Sequence, residues 1–295
     1  MKVKSIFTIW SWMLLCVPCL LASCDHHDGE DEKGLSISLT WQDEADQGTK
    51  VEDVKLWIFN ADNDSLVEEE NYGSAQEIAN QRFFLAEGDY RILTTTNLTE
   101  PFTIGEITKT LSNWDNIMIG LTNPKNVKDN AYFGVTDIRI DLEEGYYVVQ
   151  NPMKSVLAEL TIIIEDVPKG TEMSGKAMDA ALCLFPTQKN DDGAYGLPSI
   201  EPVEVELPTI LATGTTLQSE VIRLMPTTPA SAASHIYLRL LLPNETLQEY
   251  DITAPMMKVG GKYELRFKHN KMQPKMNLDA TINNWKDLNN EVEIK

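Results

Sequence analysis

Cys24 is the residue with the clearest chemical role, because it stands between an apolar segment and a run of charges. Two lysines precede the apolar run 6–21, and the small residues Ala22 and Ser23 follow it. A basic start, an apolar stretch and small residues form the pattern of a cleavable signal peptide. A membrane-spanning helix is the alternative, but it needs about 20 apolar residues. The run is shorter than that and contains Pro18, so cleavage is favoured.

The residues at the end of this run resemble the bacterial lipobox, in which a leucine, two small residues and a cysteine mark lipid attachment. The resemblance makes Leu21, Ala22 and Ser23 the recognition residues of signal peptidase II, which cuts before Cys24. A cysteine is required because its thiolate is the nucleophile that takes up the lipid. Two or more acyl chains, such as palmitate, anchor a protein stably where a single chain binds marginally. We therefore expect a lipid-tethered mature chain.

A second motif with potential chemistry is GTEMSGKA, residues 170–177, which has the spacing of a phosphate-binding loop. Such a loop holds phosphates with its amides and lysine, and a hydroxyl after the lysine binds Mg²⁺. Ala177 stands at the hydroxyl position, and Pro168 and Lys169 interrupt the strand that should lead into the loop. These departures favour an ordinary loop between strands; AMDAALCLF, residues 177–185, is only a candidate for the helix that would follow a phosphate-binding loop.

The segment 60–66 has three interpretations. Asn60, Asp62 and Asp64 alternate as in a calcium loop, but a serine replaces the required glycine and Asn71 the bidentate acid. A hairpin turn is favoured instead. The triplet at 64–66 also resembles the O-glycosylation signal of Bacteroides-type bacteria, which makes Ser65 a candidate glycosylation site.

Few groups suit catalysis or metal binding. His26 and His27 are adjacent in an acidic stretch, where they are poorly preorganised for a metal. His235 and His269 border apolar strands, and the chain has no G-x-S-x-G motif. Paired carboxylates discriminate nothing in a chain with 45 acids. We expect no enzyme activity, no cofactor and no metal.

The charge balance limits the partners. The 295 residues include 25 basic and 45 acidic ones, a net charge of −20. Residues 1–23 contain two of the lysines and no acid, so the mature chain has 23 basic and 45 acidic residues, a net charge of −22. Neutralising phosphates requires clustered Lys and Arg. Nucleic acid and an anionic membrane face are therefore not expected partners.

Cysteine usage excludes an internal disulfide. Cys16 and Cys19 lie in the predicted signal peptide and lipidation uses Cys24, so only Cys183 remains. In the sequence AALCLF it is expected to be a small buried residue. Stability must come from an apolar core, and 272 mature residues are enough for one large or two ordinary domains.

Alternation of apolar and polar residues dominates the rest of the chain. It recurs in TDIRIDL (136–142), PVEVELP (202–208), IYLRLLL (236–242) and KYELRFK (262–268). Strict alternation indicates half-buried strands, and the turn residues between them favour antiparallel sandwiches. Helical patterns are confined to 75–80 and 103–120.

We expect two β-sandwich domains. A boundary is predicted at 150–152, because MKSVLAELTIII, residues 153–164, begins a new alternating strand. The acidic run after Cys24 is too polar to pack and is expected to be a flexible tether. The predicted divisions are a signal peptide (1–23), a tether (24–33), an N-terminal sandwich (34–152) and a C-terminal sandwich (153–295).

Several segments resemble the fimbrial anchor lipoproteins of Bacteroides-type bacteria. They are VKLWIFNADNDSLV (54–67), FFLAEGDYRILTTTNL (83–98), MKSVLAELTIII (153–164), GGKYELRFKHN (260–270) and LDATINNWKDLNNEVEIK (278–295). The second segment lacks the proline that the family has in its turn. The resemblance implies two tandem transthyretin-like sandwiches, fimbrial stalk subunits as partners, and attachment to the outer membrane through the lipid.

The resemblance further implies donor-strand exchange, in which main-chain hydrogen bonds and alternate side chains fix a strand in a partner's groove. The segment 288–294 is the candidate donor, with Leu288, Val292 and Ile294 as its apolar anchors. The alternative, left open, is that it forms the final strand of its own domain.

An anchor of this family is expected to keep its N-terminal strand. Stalk subunits lose theirs by proteolysis after Arg or Lys; Lys50, Arg82 and Arg91 are candidate cleavage positions here, but none stands out as a processing loop. An uncut anchor can donate a strand but cannot accept one.

The expected location is the cell surface. The acidic run after Cys24 resembles the export signal of Bacteroides-type surface lipoproteins, although Asp25 would mean inner-membrane retention in enteric bacteria. A surface glycan-binding lipoprotein is the alternative function, for which Trp41, Trp114 and Trp285 are available, while Trp57 fits a core strand better. A secreted hydrolase would need a cleft of converging polar groups that the sequence does not supply.

Replacing Cys24 by alanine should abolish incorporation of labelled palmitate and leave the protein unprocessed or released, because no other residue offers the thiolate at the cleavage site. The matched variant Cys183→Ala should be labelled like the wild type. A wild-type mass spectrum with an unmodified N-terminus upstream of Cys24 would contradict the prediction.

Overall fold

The structure of the chain, a computed structural model, describes a protein built almost wholly of β-strands. It covers residues 34–42, 46, 50–105, 107, 114–125, 127–141, 145–272, 277–279 and 285–287. In chain order the described strands are β1 (Gly34–Trp41), β2 (Val54–Asn60), β3 (Leu66–Tyr72), β4 (Gly88–Thr96), β5 (Phe102–Ile104), β6 (Ile119–Leu121), β7 (Tyr132–Ile140), β8 (Tyr146–Ser155), β9 (Ala158–Glu165), β10 (Glu172–Ala181), β11 (Cys183–Lys189), β12 (Tyr195–Pro198), β13 (Pro202–Leu211), β14 (Thr216–Gln218), β15 (Ile222–Leu224), β16 (Ser234–Leu241), β17 (Leu247–Ala254), β18 (Lys262–Lys268), β19 (Asn277–Asp279) and β20 (Trp285–Asp287).

The N-terminal half is organised by a six-stranded sheet in the order β1-β8-β7-β4-β2-β3. Its inner strand β2 is buried on both faces, because its apolar residues do not alternate with polar ones. Leu56 and Ile58 pack on one face beside Ile78, whereas Trp57 and Phe59 pack on the other. A two-sided apolar strand belongs inside a layered structure.

The C-terminal half is a sandwich of two sheets. One sheet has the order β13-β10-β16-β17-β19, and the other contains β14, β9, β18 and β20, with β15 also on β9. Apolar residues of the alternating segments 202–208, 236–242 and 262–268 are buried between them, including Leu207, Leu238, Tyr263, Leu265 and Phe267. Each such side chain contributes about 1.5–3 kcal/mol relative to exposure. The all-β sandwich prediction is confirmed here.

A four-stranded sheet joins the halves. Its order, β12-β11-β6-β5, takes two strands from before residue 152 and two from after it. Beside it, Trp114 packs edge to face on Phe59 at 5.1 Å between ring centroids, and Thr187 Oγ1 donates to the Trp114 carbonyl at 2.6 Å. The two halves therefore share a sheet and a core cluster.

Among the described strands, three pairs are parallel, which the expectation of antiparallel sandwiches did not include. They are β1 with β8, β9 with β18, and β17 with β19. Parallel neighbours need a long crossover connection, and each pair joins strands that lie far apart in the chain. Local turn signals cannot reveal such partners.

The predicted helix at 75–80 is confirmed as α1 (Ala75–Ala79). The Glu77 amide donates to Ser74 Oγ at 3.2 Å, and Glu77 Oε2 accepts from the Gly73 amide at 2.8 Å, a reciprocal cap of the helix start. Ile78 is buried against the six-stranded sheet. Within the described part of the chain, no helix has the length and apolarity to cross a bilayer.

Three secondary-structure predictions are wrong. The described residues of 103–120 contain β5, a 3₁₀ turn at Trp114–Asn116 and the start of β6 instead of a helix. The candidate helix at 177–185 is the end of β10 and the start of β11, because pairing with β13 and β16 overrides the helical preference of its alanines. The strand expected from Met153 begins at Ala158, since β8 continues through Ser155.

Replacing Gly175 in β10 by alanine should lower the free energy of unfolding by about 1–3 kcal/mol, the usual cost of overpacking. A Cβ there would lie 2.3 Å from the Tyr237 carbonyl oxygen of β16, so the strands must separate. Urea unfolding measures the change. Gly105→Ala, where a Cβ meets nothing within 4 Å, should change stability by less than about 0.5 kcal/mol; equal effects would contradict the prediction.

Candidate functional site

The predicted lipidation and donor-strand residues lie outside the described residues. These are Leu21, Ala22, Ser23 and Cys24 at one end and Leu288, Val292 and Ile294 at the other. The described residues closest to them in the chain are β1, ten residues after Cys24, and β20, which ends one residue before Leu288. The candidate site is built from these two strands and their neighbours.

Strand β1 fills a groove at the edge of the six-stranded sheet. It runs parallel to β8 over eight residue pairs, from Gly34 opposite Tyr146 to Trp41 opposite Met153. Its side chains Leu35 and Ile37 are 1% and 0% exposed. Alternate apolar residues that are this deeply buried fix both the face and the register of the strand.

The outer edge of β1 is also paired. Leu35 and Phe83 exchange backbone hydrogen bonds of 2.8 and 2.9 Å, and Ser36 Oγ donates to the carbonyl of Ala79 at 3.1 Å. An exposed edge offers unpaired amides and carbonyls to other chains. The last residue of α1 covers this edge at Ser36, and the segment after α1 covers it at Leu35.

Below β1, a buried amide links β8 to the rest of the sheet. Asn151 Nδ2 donates to Thr94 Oγ1 at 2.9 Å, and Asn151 Oδ1 accepts from Thr136 Oγ1 at 2.9 Å. Asn151 is the residue opposite Leu39 of β1. Because both ends of the Asn151 amide are satisfied, the network links β8, β7 and β4 without leaving either end of that amide unpaired.

The three cleavable basic residues differ in their surroundings. Arg91 lies in β4, pairs with Asp64, and its guanidinium lies 4.8 Å from the Trp114 ring centroid. Arg82 stacks on Tyr146 at the same distance. Lys50 is exposed and lies between β1 and β2, so a cut after it would separate β1 from the later strands.

The described C-terminal strands close the edges of the C-terminal sandwich. β19 is parallel to β17, and β20 is antiparallel to β18, with Leu265 opposite Trp285 and Tyr263 opposite Asp287. The backbone at Trp285 thus belongs to its own domain. The tail beyond Asp287 starts at a sheet edge.

The turn at Ser65 is a hairpin, as predicted. The Asn60 amide donates to the Ser65 carbonyl at 2.9 Å, and Asn63 Oδ1 accepts from the Ser65 amide at 3.0 Å. Ser65 itself is exposed. Asp64 turns toward Arg91, so the alternate acids do not converge as in a calcium loop.

The lookalike of a phosphate-binding loop is mainly strand, which corrects its prediction as a loop. Residues from Glu172 onward belong to β10, and Lys176 Nζ lies 3.1 Å from Glu204 and 3.3 Å from Glu206 on β13. The hydrogen bonds to these carboxylates raise the pKa of Lys176. The ammonium group of Lys176 therefore links β10 to β13 on the surface of the sheet.

The tryptophans give little support to a carbohydrate platform. Trp57 and Trp114 are buried, and Trp41 is partly buried against Tyr132 at 4.8 Å between ring centroids. The side chain of Trp285 lies outside the described residues. A cleft of about 520 Å³ between β13 and β15 has no aromatic residue among its described lining.

The sequence analysis missed a cluster around Asp179. Its carboxylate accepts from Ser231 Oγ at 2.7 Å, from the His235 amide at 2.9 Å, and lies 2.6 Å from His235 Nδ1. Burial raises the pKa of Asp179, but these hydrogen bonds outweigh it and hold the pKa below its ordinary value. The carboxylate lies between the serine and the histidine, so the cluster fixes the loop before β16 to β10 and does not form a nucleophile–base pair.

Cys183 is buried, as expected from its apolar neighbours. Burial raises the pKa of its thiol. A buried thiol with a raised pKa is poor in thiolate and is therefore unreactive.

Comparison with known families gives one match that spans most of the chain. The model of the fimbrillin-A associated anchor proteins Mfa1 and Mfa2 matches residues 23–291. A search of curated proteins finds no match.

Several solved structures share the fold. The fimbrial anchor protein Mfa2 from Porphyromonas gingivalis aligns with a TM-score of 0.55 at 12% identity, covering 82% of this chain and 93% of that one. A candidate adhesin from Bacteroides thetaiotaomicron aligns at 0.54 and 12% identity, covering 80% and 92%. A candidate polysaccharide-binding protein of the same organism aligns at 0.54 and 8% identity, covering 82% and 94%. At these identities the likeness shows the fold alone.

Replacing Asp179 by asparagine should lower the free energy of unfolding at pH 7 by about 1.5–3 kcal/mol, the usual contribution of hydrogen bonds to a charged group. The folded pKa is depressed, so this stability is present above the unfolded pKa and is lost as pH falls through the folded value. Urea unfolding should show the gap between wild type and variant narrowing toward pH 3. Asp62→Asn, at an exposed turn, is the control; a gap independent of pH would contradict the prediction.

Proposed function

Because the chain belongs to the family of fimbrillin-A associated anchor proteins, we propose that it roots a fimbrial stalk in the outer membrane. Family membership is the observation that carries the proposal, and it makes the protein a fimbria-associated surface protein rather than an enzyme. The lipid, the donor strand and the division at residue 152 are the further parts of the proposal.

The membrane attachment is a lipid on Cys24 after removal of residues 1–23. Support comes from the order of basic, apolar and small residues before Cys24. A lipid anchor also requires no contact between the acidic surface of the protein and anionic lipid phosphates.

The protein keeps β1 and therefore donates a strand rather than accepting one. Support comes from the burial of Leu35 and Ile37, from the eight residue pairs between β1 and β8, and from the backbone bridge of Leu35 to Phe83 on the outer edge. A partner strand could enter this groove only by displacing eight paired residues. An anchor with a filled groove ends the fimbria on the membrane side.

The donor is the segment 288–294, whose apolar anchors Leu288, Val292 and Ile294 enter the groove of the first stalk subunit. Support comes from the alternation in EVEIK and from the position of β20 at a sheet edge. If the tail instead completes its own sandwich, the stalk must bind elsewhere.

Glycan binding is the second candidate function. One observation favours it, namely that a neighbour of similar fold is described as a candidate polysaccharide-binding protein. The burial of Trp114 removes one of the three tryptophans on which it relied, and Trp57 is buried as its core strand predicted. A bound glycan in a ligand screen would support it.

Deleting the gene should shed fimbriae into the medium, and a chain lacking residues 288–295 should not restore their retention. We expect the truncated chain to remain folded and lipidated, because β18 and β20 precede the deletion. Immunoblots of cells and medium measure retention. A truncated chain that unfolds assigns the tail to its own core, and one that still retains fimbriae contradicts the donor-strand assignment.

A matched pair of variants sharpens this test. Val292→Asn with Ile294→Asn removes the apolar anchors, whereas Glu291→Gln with Glu293→Gln alters only the other face of the same strand. The first pair should shed fimbriae and the second should retain them. Equal retention by both pairs would contradict the pocket-anchor role.

A further inference from the structure

An apolar surface lies at the start of β1. Phe84 is 72% exposed, Val148 is 64% exposed and Tyr146 is 41% exposed. Single exposed apolar residues are common on soluble proteins and need no explanation. These three are notable because they are neighbours, and together with Arg82 they are called the β1 patch.

Backbone register and ring contacts join the β1 patch into one surface. Tyr146 and Val148 alternate along β8 and so point to the same side of the sheet. Tyr146 is opposite Gly34, and a Cβ on Gly34 would lie 3.4 Å from Phe84 Cε1. The Arg82 guanidinium lies 4.8 Å from the Tyr146 ring centroid. Two rings, an isopropyl group and a stacked cation therefore adjoin the first residue of β1.

The β1 patch lies at the end of the N-terminal sheet that is remote from the C-terminal half. β8 begins at Tyr146 and ends at Ser155, and the chain then enters β9 of the C-terminal sandwich. Nine steps along a strand span about 30 Å. The patch and the C-terminal sandwich are thus at opposite ends of β8.

The tether places this end close to the proposed lipid. Ten peptide steps separate Cys24 from Gly34, and they can span at most about 35 Å. The Phe84 ring lies beside Gly34, the first described residue after the tether. A lipid on Cys24 therefore keeps the β1 patch within a short chain length of the bilayer surface.

We propose that the β1 patch rests on the outer leaflet, at the boundary between headgroups and acyl chains, as a second membrane contact beside the lipid. This inference rests on the proposed lipidation of Cys24. Aromatic rings favour that boundary, and an arginine can bury its stem while its charge stays in water. The mature chain has 23 basic and 45 acidic residues, a net charge of −22, so apolar burial is left as the driving force.

The contact orients the molecule. With the β1 patch on the membrane, β8 points away from the bilayer and carries the C-terminal sandwich outward. The strand β20 that leads into the proposed donor segment then lies on the part of the protein facing the stalk. A lipid on a tether fixes distance alone, whereas a second contact fixes direction.

The test uses the full mature lipoprotein in vesicles of phosphatidylethanolamine and acyl-brominated phosphatidylcholine. Phe84→Trp places a fluorophore in the patch, and Ile200→Trp, at a site equally exposed at 72%, is the matched control in the C-terminal half. Brominated lipid should quench roughly half or more of the fluorescence added at position 84, because interfacial side chains lie about 5–10 Å deep. The fluorescence added at position 200 should be unchanged.

The outcomes distinguish a failure of the patch contact from a failure of the lipid proposal. A lipidated N-terminus, read by mass spectrometry, with no quenching at position 84 overturns the patch contact alone. An unmodified N-terminus overturns the lipid proposal and the patch contact with it. Quenching at position 84 that occurs only when anionic phosphatidylglycerol is present overturns the apolar membrane contact. The same conclusion follows if a glycan or a fimbrial subunit, and not the bilayer, shields position 84.

Discussion

The described fold of the N-terminal half depends on the parallel pairing of β1 with β8. β8 lies between β1 and β7, so without β1 it would expose a row of amides and carbonyls and the apolar side chains beneath Leu35 and Ile37. A buried polar backbone group without a partner costs about as much as a lost hydrogen bond. The pairing with β8 along the whole of β1, together with the bridge from Leu35 to Phe83 on the other edge, holds the strand next to the tether in the folded domain.

The junction between the halves is the second constraint, because it packs the two halves against each other. β5, β6, β11 and β12 form one sheet, and Trp114 lies between Phe59 and Tyr195. Nearby, burial lowers the pKa of Lys154 to about 8, where its ammonium meets the Tyr195 carbonyl and the Phe133 ring. Shared strands, stacked rings and a desolvated cation all require the two halves to keep one relative position.

The sequence predicted what local patterns determine. Alternation identified the inward residues of β16 and β18, and the Ser74–Glu77 spacing fits the start of α1. It failed where partners decide the structure, because the alanines of β10 favour a helix until β13 and β16 flank them. The parallel partners and the shared sheet depend on contacts between distant segments, which no single stretch of sequence encodes.

The same distinction separates the parts of the candidate site. Cys24 and the alternation at Val292 are local features, so the sequence alone suggested them, although both lie outside the described residues. The β1 patch is assembled from residues near 34, 84 and 146, and its members became neighbours only through the register of β1 on β8 and the bridge from Leu35 to Phe83.

That register also sets how load would pass through an anchored molecule. In a molecule lipidated at Cys24 as proposed, a pull on the C-terminal half would act on the Ser155 end of β8, and the membrane would hold the Gly34 end of β1. Because the strands are parallel, these forces act along the strands in opposite directions, so the backbone bonds between β1 and β8 are sheared together instead of peeled one by one. An antiparallel β1 would be attached at the end near Ser155 and would peel from there. The parallel pairing that closes the groove is therefore also the arrangement that distributes tension along β1.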